Sequence, residues 1–209
     1  SSLVERGLAV KEKGYRAMKV VNVPYTHYTA TPRALADFEA SMGALREAVG
    51  PEIEIMVDFH GRCASAGAAL AFLKVLEPFG VMFAEEPIPP GDVASMKAIA
   101  MASRVPIAHG ERLTSAQDFA PYIEARTMTV AQPDLCHCGG FGEARRIAAL
   151  AEVAGIGLAP HNPLGPIAGV AALHFDIATP NVVIQEEMTG AVPWYFEVVE
   201  GPIRRVDGY

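Results

Sequence analysis

A short sequence pattern, a strand followed by a helix, recurs along this chain and limits the folds that the chain can adopt. An apolar run of strand length ends on an acid or a histidine, and an alanine-rich segment with helical spacing follows. Strands that alternate with helices predict a parallel sheet, and an even period favours a (β/α) TIM-type barrel over an open doubly wound sheet. The closing residues, separated by 27, 26, 23, 27 and 25 residues, are Asp58, Glu85, Glu111, Asp134, His161 and Glu186.

The pattern also gives bounds for the elements. The predicted strands are 16–23, 53–60, 81–86, 106–111, 127–134, 156–161 and 182–186. The predicted helices are roughly 2–13, then 32–49, 66–76, 93–102, 115–125, 142–154 and 167–177. The glycine-rich stretch 139–142 has neither of the spacings that cradle nucleotide phosphates, which argues against a dinucleotide or P-loop fold.

Composition and charge exclude several classes of partner. The chain has 17 Lys and Arg against 24 Asp and Glu, a formal charge of -7, and no run of basic residues, so we expect neither nucleic acid nor a membrane as partner. No apolar stretch approaches the roughly 20 residues of a bilayer span, and residues 1–14 lack the features of a signal peptide. Three cysteines do not make a disulfide framework and fit a reducing cytoplasm, so we expect a soluble cytoplasmic protein. Cys136-His137-Cys138 looks like a soft-metal fragment, but a C-x-C without a second pair is a weak signal, and we assign it mostly to structure.

The closing residues are expected to form one site. In a barrel, the carboxyl ends of the strands converge on one mouth, where such enzymes place their active sites. Any single acid could instead cap the helix that follows it. Six consecutive strands that each end on an acid or a histidine favour a shared site for the set.

Three of the acids predict a metal site. Asp58, Glu85 and Glu111 end three successive strands, and carboxylates close together repel one another unless a cation lies between them. All-oxygen ligation favours Mg²⁺, with Mn²⁺ as a substitute. A purely structural cation site is the alternative.

His161 and Asp134 end neighbouring strands and suit proton transfer. The carboxylate would orient the imidazole and leave its other nitrogen as a general base, the alternative being a structural histidine. His60 lies two residues after Asp58, so strand alternation would turn both side chains the same way and make His60 a candidate general acid. Glu186 is a candidate contact for a substrate carboxylate, or else a helix cap.

Further residues are candidates for substrate contact. Lys19 lies on the first predicted strand and would end up near the mouth, and His109 shares a strand face with Glu111. The polar and aromatic segment 24–32 contributes Tyr25 and His27 as candidates for a substrate wall. An exposed loop without function is the alternative for that segment.

Six motifs in this order resemble the enolase superfamily, and more closely the sugar-acid (galactonate-type) dehydratases of its mandelate racemase subgroup. The resemblance covers essentially the whole chain. The motifs are Val57-Asp58-Phe59-His60-Gly61-Arg62, Glu85-Glu86-Pro87, Gly110-Glu111-Arg112, Gln132-Pro133-Asp134, Ala159-Pro160-His161-Asn162-Pro163-Leu164-Gly165-Pro166 and Gln185-Glu186.

The resemblance implies a hydro-lyase mechanism. The three acids would bind Mg²⁺, which holds the carboxylate of a sugar acid, and Arg112 adjoins the third of them as a candidate substrate contact. His161 with Asp134 would remove the proton α to that carboxylate, and His60 would protonate the departing 3-hydroxyl. Glu186 would contact the developing enediolate, and the product would be a 2-keto-3-deoxy acid. The resemblance also implies a homo-oligomer.

One departure from the family pattern bears on the reaction. Racemases of this subgroup carry a Lys-x-Lys pair at the second barrel strand, whereas this chain reads Lys19-Val20-Val21-Asn22. Dehydration needs one base and one acid and is therefore favoured. A racemase or epimerase of a 2-hydroxy acid is the alternative reaction, and a non-catalytic barrel fragment that binds metal or a sugar acid is the alternative outside catalysis.

The length is shorter than the roughly 250 residues of a typical eight-fold barrel. The strand 16–23 corresponds to barrel strand 2 of the family, so residues 1–209 are interpreted as one partial barrel domain with strands 2 to 8. Barrel strand 1 and the N-terminal capping domain would be absent from this chain. We expect either a longer parent chain or an open seam beside strands 16–23 and 182–186.

Overall fold

The computed structural model describes residues 2–188, 192–195 and 197–200. The chain divides into two compact units, the first ending at Ile107 and the second beginning at Ala108. Strands and helices alternate along both units, as the sequence predicts. The helices are α1 (Leu3–Glu12), α2 (Pro32–Val49), α3 (Ala66–Leu76), α4 (Val93–Ala102), α5 (Ala116–Glu124), α6 (Gly140–Val153) and α7 (Pro166–Ile177), with a 3₁₀ turn at Glu77–Phe79.

Side-chain caps explain why several helices begin where the sequence predicts. The Thr31 hydroxyl accepts a hydrogen bond from the Ala34 N–H at 3.2 Å, and Pro32 occupies the first turn of α2. The Ser65 hydroxyl caps α3 in the same way, at 3.1 Å from the Ala68 nitrogen. The predicted bounds 32–49, 66–76 and 93–102 are confirmed for α2, α3 and α4.

Three parallel strands form the sheet of the first unit: β1 (Ala17–Val20), β2 (Glu54–Asp58) and β3 (Phe83–Glu85). Val20 pairs with Val57, and Asp58 pairs with Glu85. Apolar side chains from the helices cover this sheet, with an edge-to-face contact between Phe38 of α2 and Phe72 of α3 at 5.3 Å. The register therefore brings two of the predicted metal ligands to neighbouring strand ends.

The second unit also has parallel strands. They are β4 (Ile107–His109, of which Ile107 belongs to the first unit), β5 (Val130–Ala131) and β6 (Gly157–Leu158). The predicted strand 182–186 is wrong as an extended strand: among the described residues it makes a single parallel bridge, between Leu158 and Val182. Beyond that bridge Gln185 donates its side-chain amide to the carbonyl of Pro160 at 3.0 Å, so side-chain contacts replace the backbone ladder.

The strands are shorter than predicted because the chain turns close to their closing residues. His60 and Glu86 have positive φ angles, 52° and 40°, shortly after β2 and β3 end. Gly110 follows β4 with φ 136°. A residue in these conformations cannot continue a strand, so Asp58 and Glu85 are the last residues of β2 and β3, and Glu111 lies two residues beyond the end of β4.

Gly110 also allows an unusually close approach. A Cβ atom at this position would lie 2.5 Å from Cε1 of Phe119 in α5 and 3.2 Å from the Gln132 nitrogen. Both the backbone conformation and the packing therefore require glycine immediately before Glu111.

Two further observations bear on the interpretation of the sequence. Within the described part of the chain, no helix has the length and hydropathy that a bilayer crossing requires. The three cysteines are free, and burial raises the pKa of the Cys63 thiol to about 12 and that of Cys138 to about 11.

Asp176 gives the fold a pH dependence that can be measured. It lies in the last turn of α7, where the helix dipole disfavours a negative charge, and neither of its buried oxygens has a hydrogen-bond partner among the described residues. Burial raises the pKa of this carboxyl from 3.8 to about 7. As pH rises, the Asp176 carboxyl loses its proton at a lower pH in the unfolded chain than in the folded state. The free energy of unfolding should therefore fall as pH rises from about 4 to 7.

We expect Asp176→Asn to raise the free energy of unfolding at pH 8 and to leave it nearly unchanged at pH 4. The gain should be on the order of 1–2 kcal/mol, less than the full pKa shift implies, because the side chain is only partly buried and solvent screens it. Urea denaturation at the two pH values measures it. An equal effect at both would show that Asp176 does not titrate between them.

Candidate active site

Asp58 and Glu85 lie side by side at the ends of β2 and β3 in the first unit. They are 5% and 0% exposed, and the sheet register pairs them directly. The Asp58 carboxylate accepts a hydrogen bond from the His60 N–H at 2.6 Å. Two adjoining buried carboxylates form a set of hard oxygen donors that suits Mg²⁺.

Lys19 is an ion-pair partner of Glu85. Its ammonium nitrogen lies 2.8 and 2.9 Å from the two Glu85 oxygens, and its side chain is 16% exposed. Glu85 therefore has a positively charged partner within the chain, in addition to any cation that the acids bind. Lys19, predicted as a substrate contact, is on this evidence also the residue that offsets the buried charge of Glu85.

The structure changes the reason for expecting His60 near Asp58. β2 ends at Asp58, and His60 sits in a left-handed turn with an exposed side chain. Strand alternation therefore does not set its direction. Its role as general acid stays a prediction.

His161 and Asp134 form a hydrogen-bonded pair in the second unit. Nδ1 of His161 lies 2.8 Å from Oδ2 of Asp134. The other Asp134 oxygen accepts hydrogen bonds from the backbone N–H groups of Cys136 at 2.7 Å and His137 at 3.2 Å. Burial alone would raise the pKa of Asp134, but these hydrogen bonds and the neighbouring histidines hold it below its usual value.

The other nitrogen of His161 faces Glu111. Nε2 lies 3.4 Å from Oε2 of Glu111, which is buried at the end of the β4 segment. Nε of Arg112 lies 3.3 Å from the other Glu111 oxygen, and the Arg112 side chain is 42% exposed. One imidazole thus has a carboxylate at each ring nitrogen.

Glu186 is tied to the residue after His161. Its Oε2 accepts a hydrogen bond from the Asn162 N–H at 2.8 Å, and its carbonyl oxygen accepts one from the Asn162 side chain at 3.3 Å. Asn162 is 2% exposed and was not predicted as a site residue. Its place directly after His161 in the quoted motif was the available signal.

His109 has a structural environment. It is 3% exposed, its Nε2 lies 2.9 Å from the Thr127 hydroxyl, and its ring meets that of Tyr122 edge to face at 5.0 Å. Burial lowers its pKa to about 3, so the ring is neutral at pH 7. These contacts explain why a histidine is buried at this position, and we do not include His109 in the proposed site.

The segment 24–32 is attached to the loop after β2. Thr26 donates its N–H to the Arg62 carbonyl at 2.9 Å, and Arg62 donates to the Val23 carbonyl at 2.8 Å. The Arg62 guanidinium lies 4.9 Å from the centre of the Tyr25 ring, which is 81% exposed, and His27 is exposed as well. Arg62 anchors this segment, a role that sequence reasoning missed.

Asp134, His137 and His161 form a cluster with metal-ligating atoms. One such atom from each side chain lies within 4.8 Å of the others. The two histidine rings are 6.1 Å apart, centre to centre. Sequence reasoning assigned the Cys136-His137-Cys138 stretch mostly to structure and did not single out His137.

Comparison with known proteins identifies the family. A family model described as "Enolase C-terminal domain-like" matches residues 3–209. The chain belongs to this family. Its alternating parallel strands and helices are those of the enolase C-terminal TIM-barrel-like domain, which confirms the predicted fold class.

Several relatives within the enolase superfamily are similar over most of the chain. A D-galactonate dehydratase of Cronobacter sakazakii (strain ATCC BAA-894) is 43% identical over 150 residues, 72% of this chain and 39% of that protein. A solved enolase superfamily member from Salmonella Typhimurium superposes with a TM-score of 0.93 at 30% identity, over 98% of this chain and 55% of that one. A mandelate racemase/muconate lactonizing enzyme-like protein from Rubrobacter xylanophilus DSM 9941 gives 0.92 at 33%, over 98% and 54%.

The chain therefore spans about two fifths of that curated enolase-superfamily relative and about half of the solved ones. The family-model match, residues 3–209, contains all the closing residues from Asp58 to Glu186. Family membership and fold follow from these comparisons.

Proposed function

We propose that the protein to which this chain belongs is a cytoplasmic, Mg²⁺-dependent sugar-acid dehydratase. It removes the proton α to the substrate carboxylate and eliminates the 3-hydroxyl to give a 2-keto-3-deoxy acid. The similarity to a D-galactonate dehydratase supports the substrate class. The observation that carries the proposal is the array of Asp134, His161 and Glu111, in which the candidate base adjoins a candidate metal ligand.

The base in this proposal is Nε2 of His161. A carboxylate can only accept a hydrogen bond, so Asp134 fixes the ring proton of neutral His161 on Nδ1 and leaves the lone pair on Nε2. The four contacts described above for Asp134 and His161 leave the ring little freedom to turn. Nε2 is therefore positioned to take a proton from a substrate carbon.

Asp58, Glu85 and Glu111 would hold the Mg²⁺ ion. Their donors are carboxylate oxygens, the type that Mg²⁺ prefers, and all three residues are at least 94% buried. When bound, the ion would neutralise negative charge that develops on the substrate carboxylate as the α-proton leaves. Lys19 beside Glu85 and Arg112 beside Glu111 favour the ionised carboxylates that ligation requires.

The elimination needs a second proton transfer. As the C2–H bond breaks, its proton goes to His161 and the electron pair moves into the carboxylate as an enediolate. The pair then returns to form the C2–C3 double bond as the C3–O bond breaks. His60 would donate a proton to the departing hydroxyl, so that water leaves, and Glu186 would contact the developing enediolate. The enol product then tautomerises to the 2-keto-3-deoxy acid. Tyr25 and His27 are the proposed contacts for the distal part of the substrate.

A panel of sugar acids tests this function. With Mg²⁺ present, we expect at least one acid to lose water and give a 2-keto-3-deoxy acid. The reaction is monitored by ¹H NMR, and we expect EDTA to stop it. Inversion at C2 without loss of water would replace dehydration with racemisation. No change in any acid across the panel, in a protein that is folded, would contradict the proposed function.

A further inference from the structure

We propose that Asp134, His137 and His161 form a binding site for a transition-metal dication of the Zn²⁺ class, distinct from the carboxylate set proposed for Mg²⁺. The site uses the imidazole nitrogens of both histidines and one oxygen of Asp134. Binding of the ion depends on these three residues alone. The expectation that the bound ion inhibits turnover, argued below, rests on the proposed function.

The distances within the cluster suit a small tetrahedral ion. Metal bonds of about 2.0–2.1 Å hold neighbouring ligands of a tetrahedral ion roughly 3.3 Å apart. Oδ2 of Asp134 lies 2.8 Å from Nδ1 of His161 and 3.7 Å from Nδ1 of His137, so the two separations bracket that value. The donor atoms of the three side chains all lie within 4.8 Å of one another, so the two imidazole nitrogens would close by up to about 1.5 Å to reach that spacing.

The backbone fixes the ligands before any ion arrives. Asp134 accepts a backbone hydrogen bond from His137 on its side chain and a second, at 3.0 Å, on its carbonyl oxygen. The His137 ring nitrogen Nδ1 lies 3.2 Å from the Glu111 carbonyl oxygen, a contact that a metal bound to this nitrogen would replace. The His137 side chain is 47% exposed, which gives the ion a path from solvent and leaves room for water as a fourth ligand.

The donor types select the class of metal. Two imidazoles and one carboxylate suit Zn²⁺, Co²⁺, Ni²⁺ or Cu²⁺, whereas Mg²⁺ prefers oxygen donors only. The flanking thiols of Cys136 and Cys138 are not part of this set of donor atoms. Excess Mg²⁺ should therefore not displace the ion.

Occupation of this site would switch off the proposed base. A neutral imidazole that binds a metal through Nδ1 carries its proton on Nε2, and that nitrogen can then no longer accept one. The ion would also replace the hydrogen bond from His161 to Asp134. Micromolar Zn²⁺ would thus inhibit a Mg²⁺-activated enzyme without removing its Mg²⁺.

Calorimetric titration of Zn²⁺ into the protein in excess Mg²⁺ tests the site. We expect one bound ion, and we expect His137→Gln to weaken its binding by about tenfold or more, since one ligand is lost. His174→Gln, at an exposed position in α7, is the matched control and should bind as the original protein does. His137→Cys should restore binding because a thiolate is also a Zn²⁺ ligand.

Equal Zn²⁺ affinity in His137→Gln and the original protein would overturn the proposal. So would the absence of any Zn²⁺ binding when Mg²⁺ is present in excess. Thermal melts confirm that each variant is folded. Where turnover is measurable, His137→Gln should keep the Mg²⁺-dependent rate and lose Zn²⁺ inhibition. Because binding is measured directly, a failure of the dehydratase proposal would leave this result interpretable.

Discussion

Replacing His161 with asparagine should stop exchange of the substrate α-proton with D₂O and lower kcat by about 10²–10⁴-fold, the usual contribution of a general base. The asparagine amide can still donate a hydrogen bond to Asp134, so the variant removes the basic nitrogen with little loss of local structure. Exchange is followed by the loss of the α-proton signal in ¹H NMR, and turnover by the appearance of the keto acid.

Two comparisons make the His161 result interpretable. His174→Asn changes an exposed histidine outside the site and should leave exchange unaltered. Asp134→Asn keeps the base but loses the carboxylate that orients it, and should reduce exchange without abolishing it. Exchange that persists in His161→Asn at the original rate would assign the base to another residue.

Asp58→Asn should abolish Mg²⁺-dependent turnover and weaken Mg²⁺ binding by roughly 100-fold, because one of three charged ligands becomes a neutral amide. The substitution preserves shape, and the amide oxygen can still accept the hydrogen bond from the His60 N–H. The measurement is turnover against Mg²⁺ concentration, with a direct Mg²⁺ titration of the protein.

Glu54→Gln is the matched control for Asp58. It removes one carboxylate from the same strand, at its exposed start, and should change neither turnover nor Mg²⁺ affinity. Asp58→Asn with an unchanged Mg²⁺ dependence would show that Asp58 is not a ligand. Glu85→Gln is a less clean variant, since it leaves the Lys19 ammonium without its carboxylate.

The helices were predictable because local chemistry sets their ends. Thr31 followed by Pro32 starts α2, and Ser65 starts α3, each with a cap visible in the sequence. The strand ends were predicted too late because apolar character continues past Asp58 while the backbone already turns at His60. A positive φ at a residue other than glycine is not visible in a sequence.

The hydrogen bond between His161 and Asp134 followed from spacing, since residues that close neighbouring parallel strands lie at equal depth. The pairing of Lys19 with Glu85 did not, because it spans two strands and depends on the reach of a long side chain. His109 was placed on the face of Glu111 by alternation, but Gly110 breaks the strand between them. Side-chain pairs that reach across several strands, and local turns that end a strand, are therefore the features that this sequence did not predict.

The packing at Gly110 bears on how this protein can change over generations. Any side chain there would collide with Phe119 and would also have to adopt a backbone conformation that L-residues rarely occupy. Substitution of Gly110 would therefore destabilise the fold, whereas substitution at exposed positions such as Tyr25 changes stability little. Under the proposed function, new substrate preferences would accordingly arise in the segment 24–32, and the glycine beside Glu111 would stay fixed in descendants of this sequence.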